Sequence, residues 1–169
     1  NGKRIAGQST SSLLKIAYLP QETFTLNGTL AENVVLGDEC EPKTLKAVEN
    51  ALALANLEEL YQNLPKGIKS QIGELGGWLS GGQKQRLSIA RAVYRDLDFF
   101  IFDEATNALD VDVEENIIKN LINSGKMGAG VIVSHRRSTL KFCNRILIID
   151  GKKQIIVNDI DAFVERGLN

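Results

Sequence analysis

The apolar positions along this chain follow two rhythms. Short runs of branched or aromatic residues occupy 13–19, 99–102, 130–133, 145–149 and 154–157, the length and composition of β-strands. The run Phe99-Phe100-Ile101-Phe102 has no polar position, as expected of a parallel strand covered on both faces, and 130–133 reads as a second buried strand. Elsewhere the apolar residues recur three or four apart, the period of a helix with one buried face. Leu45, Val48, Leu52 and Ala55 keep that period, and Leu57 and Leu60 continue it to the breaker Pro65. Leu87, Ala90, Val93 and Tyr94 define a helix to about Arg95. Val113, Ile117, Ile118, Leu121 and Ile122 define another, closed by Gly125. Shorter helices are expected at 30–35 and 159–166, and 145–149 and 154–157 pair across a turn at Asp150-Gly151. Strand alternating with helix in the second half predicts an open α/β sheet, whose sites lie at the strands' carboxyl ends. The middle, 24–95, reads as a helical insertion beside that sheet, leaving 1–23 and 96–169 as its core.

Composition narrows the picture only a little. A chain of 169 residues, 43% hydrophobic and 24% charged, has material for one core, and its net charge of −1 supplies no field for nucleic acid. Cys40 and Cys143 are far apart, which suggests packing thiols in a reducing compartment rather than a disulfide or metal site. No apolar run approaches a membrane span and no signal-peptide pattern opens the sequence, so a soluble, intracellular protein is expected.

Candidate chemistry begins at Leu79-Ser80-Gly81-Gly82-Gln83. Ser80 is a good helix cap, and the glycines admit a ligand close to the free N–H groups and positive dipole end of the helix, a natural anion site. By itself, Ser-Gly-Gly before a helix is an ordinary capped turn. Gly2-Lys3-Arg4-Ile5-Ala6-Gly7-Gln8-Ser9 imitates a phosphate loop, but Gln8 replaces the required lysine and no strand stands before it. Gly125-Lys126 and Gly151-Lys152 are followed by Met127 and Lys153 and fail as well. Asp103-Glu104 places two carboxylates at the tip of a buried strand, which is costly unless something uses them. Asn107-Ala108-Leu109-Asp110 follows, and His135 ends another strand. Arg86, Arg91 and Arg95 read as a solvated or ion-paired helix face, not a nucleic-acid patch.

Taken in order, these pieces resemble the nucleotide-binding domain of the ATP-binding cassette family. Tyr18-Leu19-Pro20-Gln21 is similar to its glutamine loop, 79–83 to its signature, 99–104 to its Walker B strand, Ala108-Leu109-Asp110 to its D-loop and Ser134-His135-Arg136 to its switch segment. Thr25-Leu26-Asn27-Gly28-Thr29-Leu30-Ala31-Glu32-Asn33 and Ile72-Gly73-Glu74-Leu75-Gly76 look like the corresponding stretches of exporter-type cassettes. Asn107 stands where the family often has Ser, and Asn144 where it often has Asp.

The resemblance implies a P-loop NTPase-like, mostly parallel sheet, incomplete here, with an inserted helical subdomain that carries the signature. It implies ATP and Mg²⁺ as cofactors. Asp103 and Gln21 would hold the metal, Gln21 would also contact the lytic water and link nucleotide state to the transporter, Glu104 would act as general base, and His135 would sense the γ-phosphate. Leu79, Ser80, Gly81, Gly82 and Gln83 would bind a nucleotide held by a second cassette, in a homo- or heterodimer, with Asp110 reaching across the interface or capping the next helix. Coupling helices of a transmembrane domain on the cytoplasmic face would be the other partner, with no nucleic acid. No Walker A run is found, so the chain is expected to be a partial cassette that does not hydrolyse ATP by itself and exposes apolar sheet surface. A cassette ATPase of DNA repair or translation, and an inert signature donor, are the alternatives.

Overall fold

Parallel pairing of the apolar runs builds the sheet that positions the site. The computed structural model describes residues 15–37, 42–73, 78–97, 99–151 and 153–157. Strands β1 (Ile16–Leu19), β2 (Phe99–Asp103) and β3 (Ala129–Val133) pair in parallel in the order β1-β2-β3. Ile16 lies opposite Phe99, and Phe99 opposite Ala129. Strand alternation sends Ala17, Leu19, Phe100 and Phe102 to one buried face, where the Phe100 and Phe102 rings stack with centroids 6.0 Å apart.

The opposite face corrects two expectations. Phe99 and Ile101 are only half-buried, and β3, expected to be buried, exposes most of its positions, Val131 and Val133 among them. β3 stands at the edge of the described sheet, and Val131 and Val133 keep about half of their surface open to solvent. The 145–149 and 154–157 pair is found as β4 (Ile146–Asp150) and β5 (Lys153–Val157), a separate antiparallel hairpin turning at Gly151 with φ 57°.

Helix α4 (Gly81–Tyr94) is the centre of the helical part. Leu87, Ile89, Ala90 and Val93 are buried, and the helix packs on α1 (Leu30–Val35), α2 (Pro42–Leu54) and β1. The long rhythm ending at Pro65 is broken in two, into α2 and α3 (Glu58–Gln62). Asn56 adopts φ 55°, Leu57 N–H donates to Leu52 O at 2.8 Å and Asn56 N–H to Ala53 O at 2.9 Å. This is a Schellman stop with Asn in the place glycine usually takes. Helix α5 (Val111–Asn123) buries Ile117, Ile118 and Leu121 and ends before Gly125 at φ 68°, as its pattern predicts. A four-residue helix α6 (Arg137–Leu140) follows β3 without a sequence signal. Residues 1–14, Cys40, positions 74–76 of the exporter-like stretch and the helix expected at 159–166 lie outside the described residues.

The arginine face of α4 is corrected in part: Arg95 is exposed as expected, whereas Arg91 is buried and Arg86 half-buried. Arg91 is only 7% exposed, and its guanidinium donates to Asn33 O at 2.7 Å and Phe24 O at 2.8 Å while lying 4.6 Å from the Phe24 ring centroid. Arg86 donates to Asn56 O at 2.5 Å and Arg95 to Leu36 O at 3.3 Å. These side chains tie α4 to carbonyls of neighbouring segments rather than to carboxylates. Burial pushes the Arg91 pKa down to about 10, which leaves it charged at neutral pH. Arg91→Met keeps the apolar stem but strips the donors from buried carbonyls, and is expected to cost roughly 2–3 kcal/mol of stability. The check is the urea midpoint, which should fall; an unchanged midpoint would remove the anchoring role.

Candidate functional site

The register of the sheet collects the candidate residues at one edge. Leu19 lies opposite Phe102, and Phe102 opposite Ile132, so Gln21, Asp103-Glu104 and Ser134-His135 all emerge at the carboxyl ends of adjacent parallel strands. In open α/β sheets this is the edge at which ligands bind.

Glu104 occupies a strained position. Its φ of 51° is left-handed, costing a glutamate of order 1–3 kcal/mol unless neighbours enforce it. They do so from several sides. Its N–H donates to Val133 O at 3.1 Å, which locks the end of β2 to the end of β3. Its Oε1 lies 3.3 Å from His135 Nε2, and its Oε2 accepts from Asn107 Nδ2 at 2.8 Å. The His135 side chain is 89% exposed and that of Glu104 28%, so the pair opens to solvent. A carboxylate held beside an imidazole and open to water is equipped to accept a proton from a water molecule.

Asp103 accepts a hydrogen bond from Tyr18 Oη at 2.7 Å across the β1–β2 pair. That hydrogen bond, ahead of desolvation and the Asp103 charge, raises the Tyr18 pKa. Gln21 is exposed, and its backbone O accepts from Gln85 Nε2 at 3.4 Å. No group of three or more His, Cys, Asp or Glu side chains able to hold a metal occurs among the described residues.

Ser80 caps α4 as expected. Its Oγ accepts from Gln83 N–H at 3.2 Å, and Gln83 Oε1 accepts in return from Ser80 N–H at 2.8 Å, a complete capping box. Leu79 is buried and anchors the turn, whereas Ser80 and Gly81 are exposed. The N–H groups of Gly81 and Gly82 fall in the first turn, where a helix supplies no partner, so they stay available to an anion. The loop after Glu104 packs directly on this start: a Cβ at Gly82 would meet Ala108 O at 3.0 Å. Between them lies a surface cavity of about 380 Å³, lined by Ser80, Gly81, Gly82, Ala108, Leu109 and Asp110 with others. Asp110 stands at the N-cap of α5 without a capping side-chain hydrogen bond, and it lines that cavity together with Arg86, whose charge it favours. No hydrogen bond or ion pair joins 79–83 to Asp103, Glu104 or His135 among the described residues.

Comparison with known proteins fixes the lineage. The sequence pattern of the family described as ABC transporter matches residues 1–107. The chain belongs to the ABC transporter family. It is 40% identical over 137 residues to the ATP-dependent lipid A-core flippase of Cupriavidus pinatubonensis, covering 80% of this chain and 23% of that protein. It is 38% identical over 171 residues to P-glycoprotein 14 of Caenorhabditis elegans, covering 97% of this chain and 13% of that one. Among solved structures, a bacterial Atm1-family ABC exporter with ATP bound matches with TM-score 0.75 and 29% identity over 91% of this chain and 27% of the other. The chain therefore has the fold of an ABC exporter nucleotide-binding domain, and it spans about a quarter of the flippases it matches.

Two further residues of this ABC transporter chain matter that no motif singles out. Gln85, buried in α4, donates to Gln21 O and accepts from Ala108 N–H at 3.1 Å, so one side chain connects the segment after β1 with the loop beside the signature. The only signal is its place two residues beyond Gln83, at a helix position that reads as solvent-facing. Glu114 is fully buried beneath the same loop, with no sequence signal beyond its helix position. Gly82→Ala should push the Ala108 carbonyl away and cost about 1–3 kcal/mol. Faster amide exchange at Ala108 and Leu109, whose N–H groups bond to Gln85 and Thr106, would report it; unchanged exchange would place the contact elsewhere.

Proposed function

We propose that this chain is the part of an exporter's nucleotide-binding domain that supplies the water-activating carboxylate and the signature to a paired ATPase. In this reading 1–23 and 96–169 belong to the ATPase core, and 24–95 is the helical unit that presents the signature. The observation that carries it is the placement of Glu104 and His135 3.3 Å apart at the carboxyl edge of the sheet, with the loop that follows Glu104 resting on the start of α4.

ATP binding is the family's property, and the chemistry of the residues fits it. Glu104 accepts the proton of the attacking water, and His135 beside it senses the terminal phosphate. Mg²⁺ fits the oxygen donors of Asp103 and Gln21, since that ion takes one or two protein oxygens and fills its other positions with phosphate and water. When bound it would neutralise charge on the phosphates. Ser80, Gly81, Gly82 and Gln83 present hydroxyl and amide donors to the phosphate of a nucleotide held by a second cassette, and Asp110 faces that cassette. The parent protein is membrane-associated through a transmembrane domain, with this chain on the cytoplasmic side. No helix among the described residues is long and apolar enough to cross a membrane, so any spanning helix comes from outside them.

No G-x-x-x-x-G-K-[ST] run occurs in these 169 residues, so the lysine and amide cradle for a β,γ-phosphate must come from elsewhere. Two outcomes follow. In the transporter that carries this chain, Glu104→Gln should reduce ATP turnover by at least about 10²-fold while leaving ATP binding intact; near-normal turnover would remove Glu104 from the base role. The 169-residue chain alone should show no turnover above background in a coupled phosphate-release assay. Turnover that disappears on Glu104→Gln would overturn the need for a second source of phosphate ligands.

A further inference from the structure

A buried carboxylate that the proposed chemistry does not use lies beneath the catalytic loop. Glu114 on α5 has 0% exposure. Such a group is tolerated only when every oxygen is engaged. Its Oε1 accepts from Thr106 Oγ1 at 2.5 Å and Thr139 Oγ1 at 2.7 Å, and its Oε2 from Arg136 Nη1 at 3.2 Å. The partners come from the loop after β2, from α6 and from the segment after β3, so Glu114 ties three pieces of chain together.

Arg136 also donates to the backbone of the same loop. Nη1 also donates to Leu109 O at 2.6 Å, and Nη2 to Asn107 O at 2.8 Å. Asn107 in turn donates through Nδ2 to Glu104 Oε2 at 2.8 Å. A continuous line of hydrogen bonds therefore runs from Glu114 through Arg136 and Asn107 to Glu104. A branch reaches Leu109, which lies against Gly82 at the helix start, a Cβ there meeting Leu109 Cδ2 at 3.4 Å.

We infer that Arg136, held by Glu114, is a positioning residue that sets the Glu104 carboxylate through Asn107 and the signature-facing loop through Leu109. The inference rests on the ATPase reading above. Arg136 directly follows His135, so a shift of the His135 backbone moves the guanidinium and, with it, both loop carbonyls. A lysine cannot replace it, because a single ammonium lacks the planar fork that reaches two carbonyls and a carboxylate at once. Asn107, which departs from the residue common in the family, extends the line to Glu104.

The test uses the full-length transporter that carries this chain. Arg136→Lys and Asn107→Ala are each expected to lower kcat for ATP about tenfold with KM changed less than about twofold, because alignment rather than nucleotide affinity is lost. The double variant should be little worse than either single one, since both cut the same line. Loss of kcat in proportion to loss of folded protein would mark Arg136 as merely structural and overturn the inference. Should Arg136→Lys fail to fold with Glu114 left unpaired, Asn107→Ala decides alone: wild-type kcat in that variant overturns the inference. Glu104→Gln, assayed beside them, keeps the two readings apart. If it is inactive while Arg136→Lys and Asn107→Ala match wild type, the positioning line falls and the ATPase reading stands; if it is active, the ATPase reading itself falls.

Discussion

A glutamate with φ 51° at the end of a parallel strand is the constraint on which the site depends. Left-handed backbone sends the chain sharply away from the line of β2, so residues 105–110 fold back across the start of α4 instead of continuing outward. The conformation persists because Val133 O takes the Glu104 N–H and because Asn107 N–H closes a turn onto Glu104 O at 3.1 Å. Strain at this point is offset by the packing around it, the usual arrangement where a reactive side chain must be held in one orientation. One backbone angle thus determines both where the carboxylate stands and where the following loop lies.

Helix α4 supplies the other half of the geometry. Its apolar face joins the core with α1 and α2, while its polar residues reach out to fixed carbonyls: Gln85 to Gln21 O, Arg91 to Asn33 O and Phe24 O. The helix start, with Ser80 and Gln83 closing a capping box, is therefore fixed in position and still presents unpartnered amides. A second cassette approaching that start would meet Ala108, Leu109 and Asp110 on the same surface. In the proposed reading, the loop that begins at the water-activating glutamate also faces the neighbouring cassette, which would be a physical reason for hydrolysis to depend on pairing.

Much of this is legible in the sequence, and what is not has definite causes. The period of Leu87, Ala90 and Val93 locates α4, and the unbroken run 99–102 locates β2 with its terminal carboxylates, because burial of one face leaves a periodic trace. The order of motifs, matched to a family, locates Gln21, Ser80–Gln83, Asp110 and His135. Asn56 hides its helix stop because a left-handed asparagine is spelled like any polar helix residue. Exposure of Val131 and Val133 is not written in their own apolar run, which says nothing about how many neighbours cover it; only the expectation of a partial sheet points to it. Arg91 reads as solvated because its carbonyl partners, Phe24 and Asn33, lie 67 and 58 residues away, and Arg136 finds Glu114 across 22. Such polar contacts depend on three-dimensional juxtaposition, which no local spacing encodes.

The central claim is that the signature of this chain serves a nucleotide whose catalytic carboxylate belongs to the other cassette. It is tested most directly by distributing two inactivating substitutions over one paired assembly. With Ser80→Arg in one cassette and Gln for the catalytic glutamate in the other, one composite site keeps both an intact signature and an intact carboxylate, and ATP turnover should persist. With Ser80→Arg and Glu104→Gln in the same cassette, each composite site loses one component, and turnover should vanish. The reverse result, activity retained when both changes share a cassette and lost when they are split, would contradict the claim.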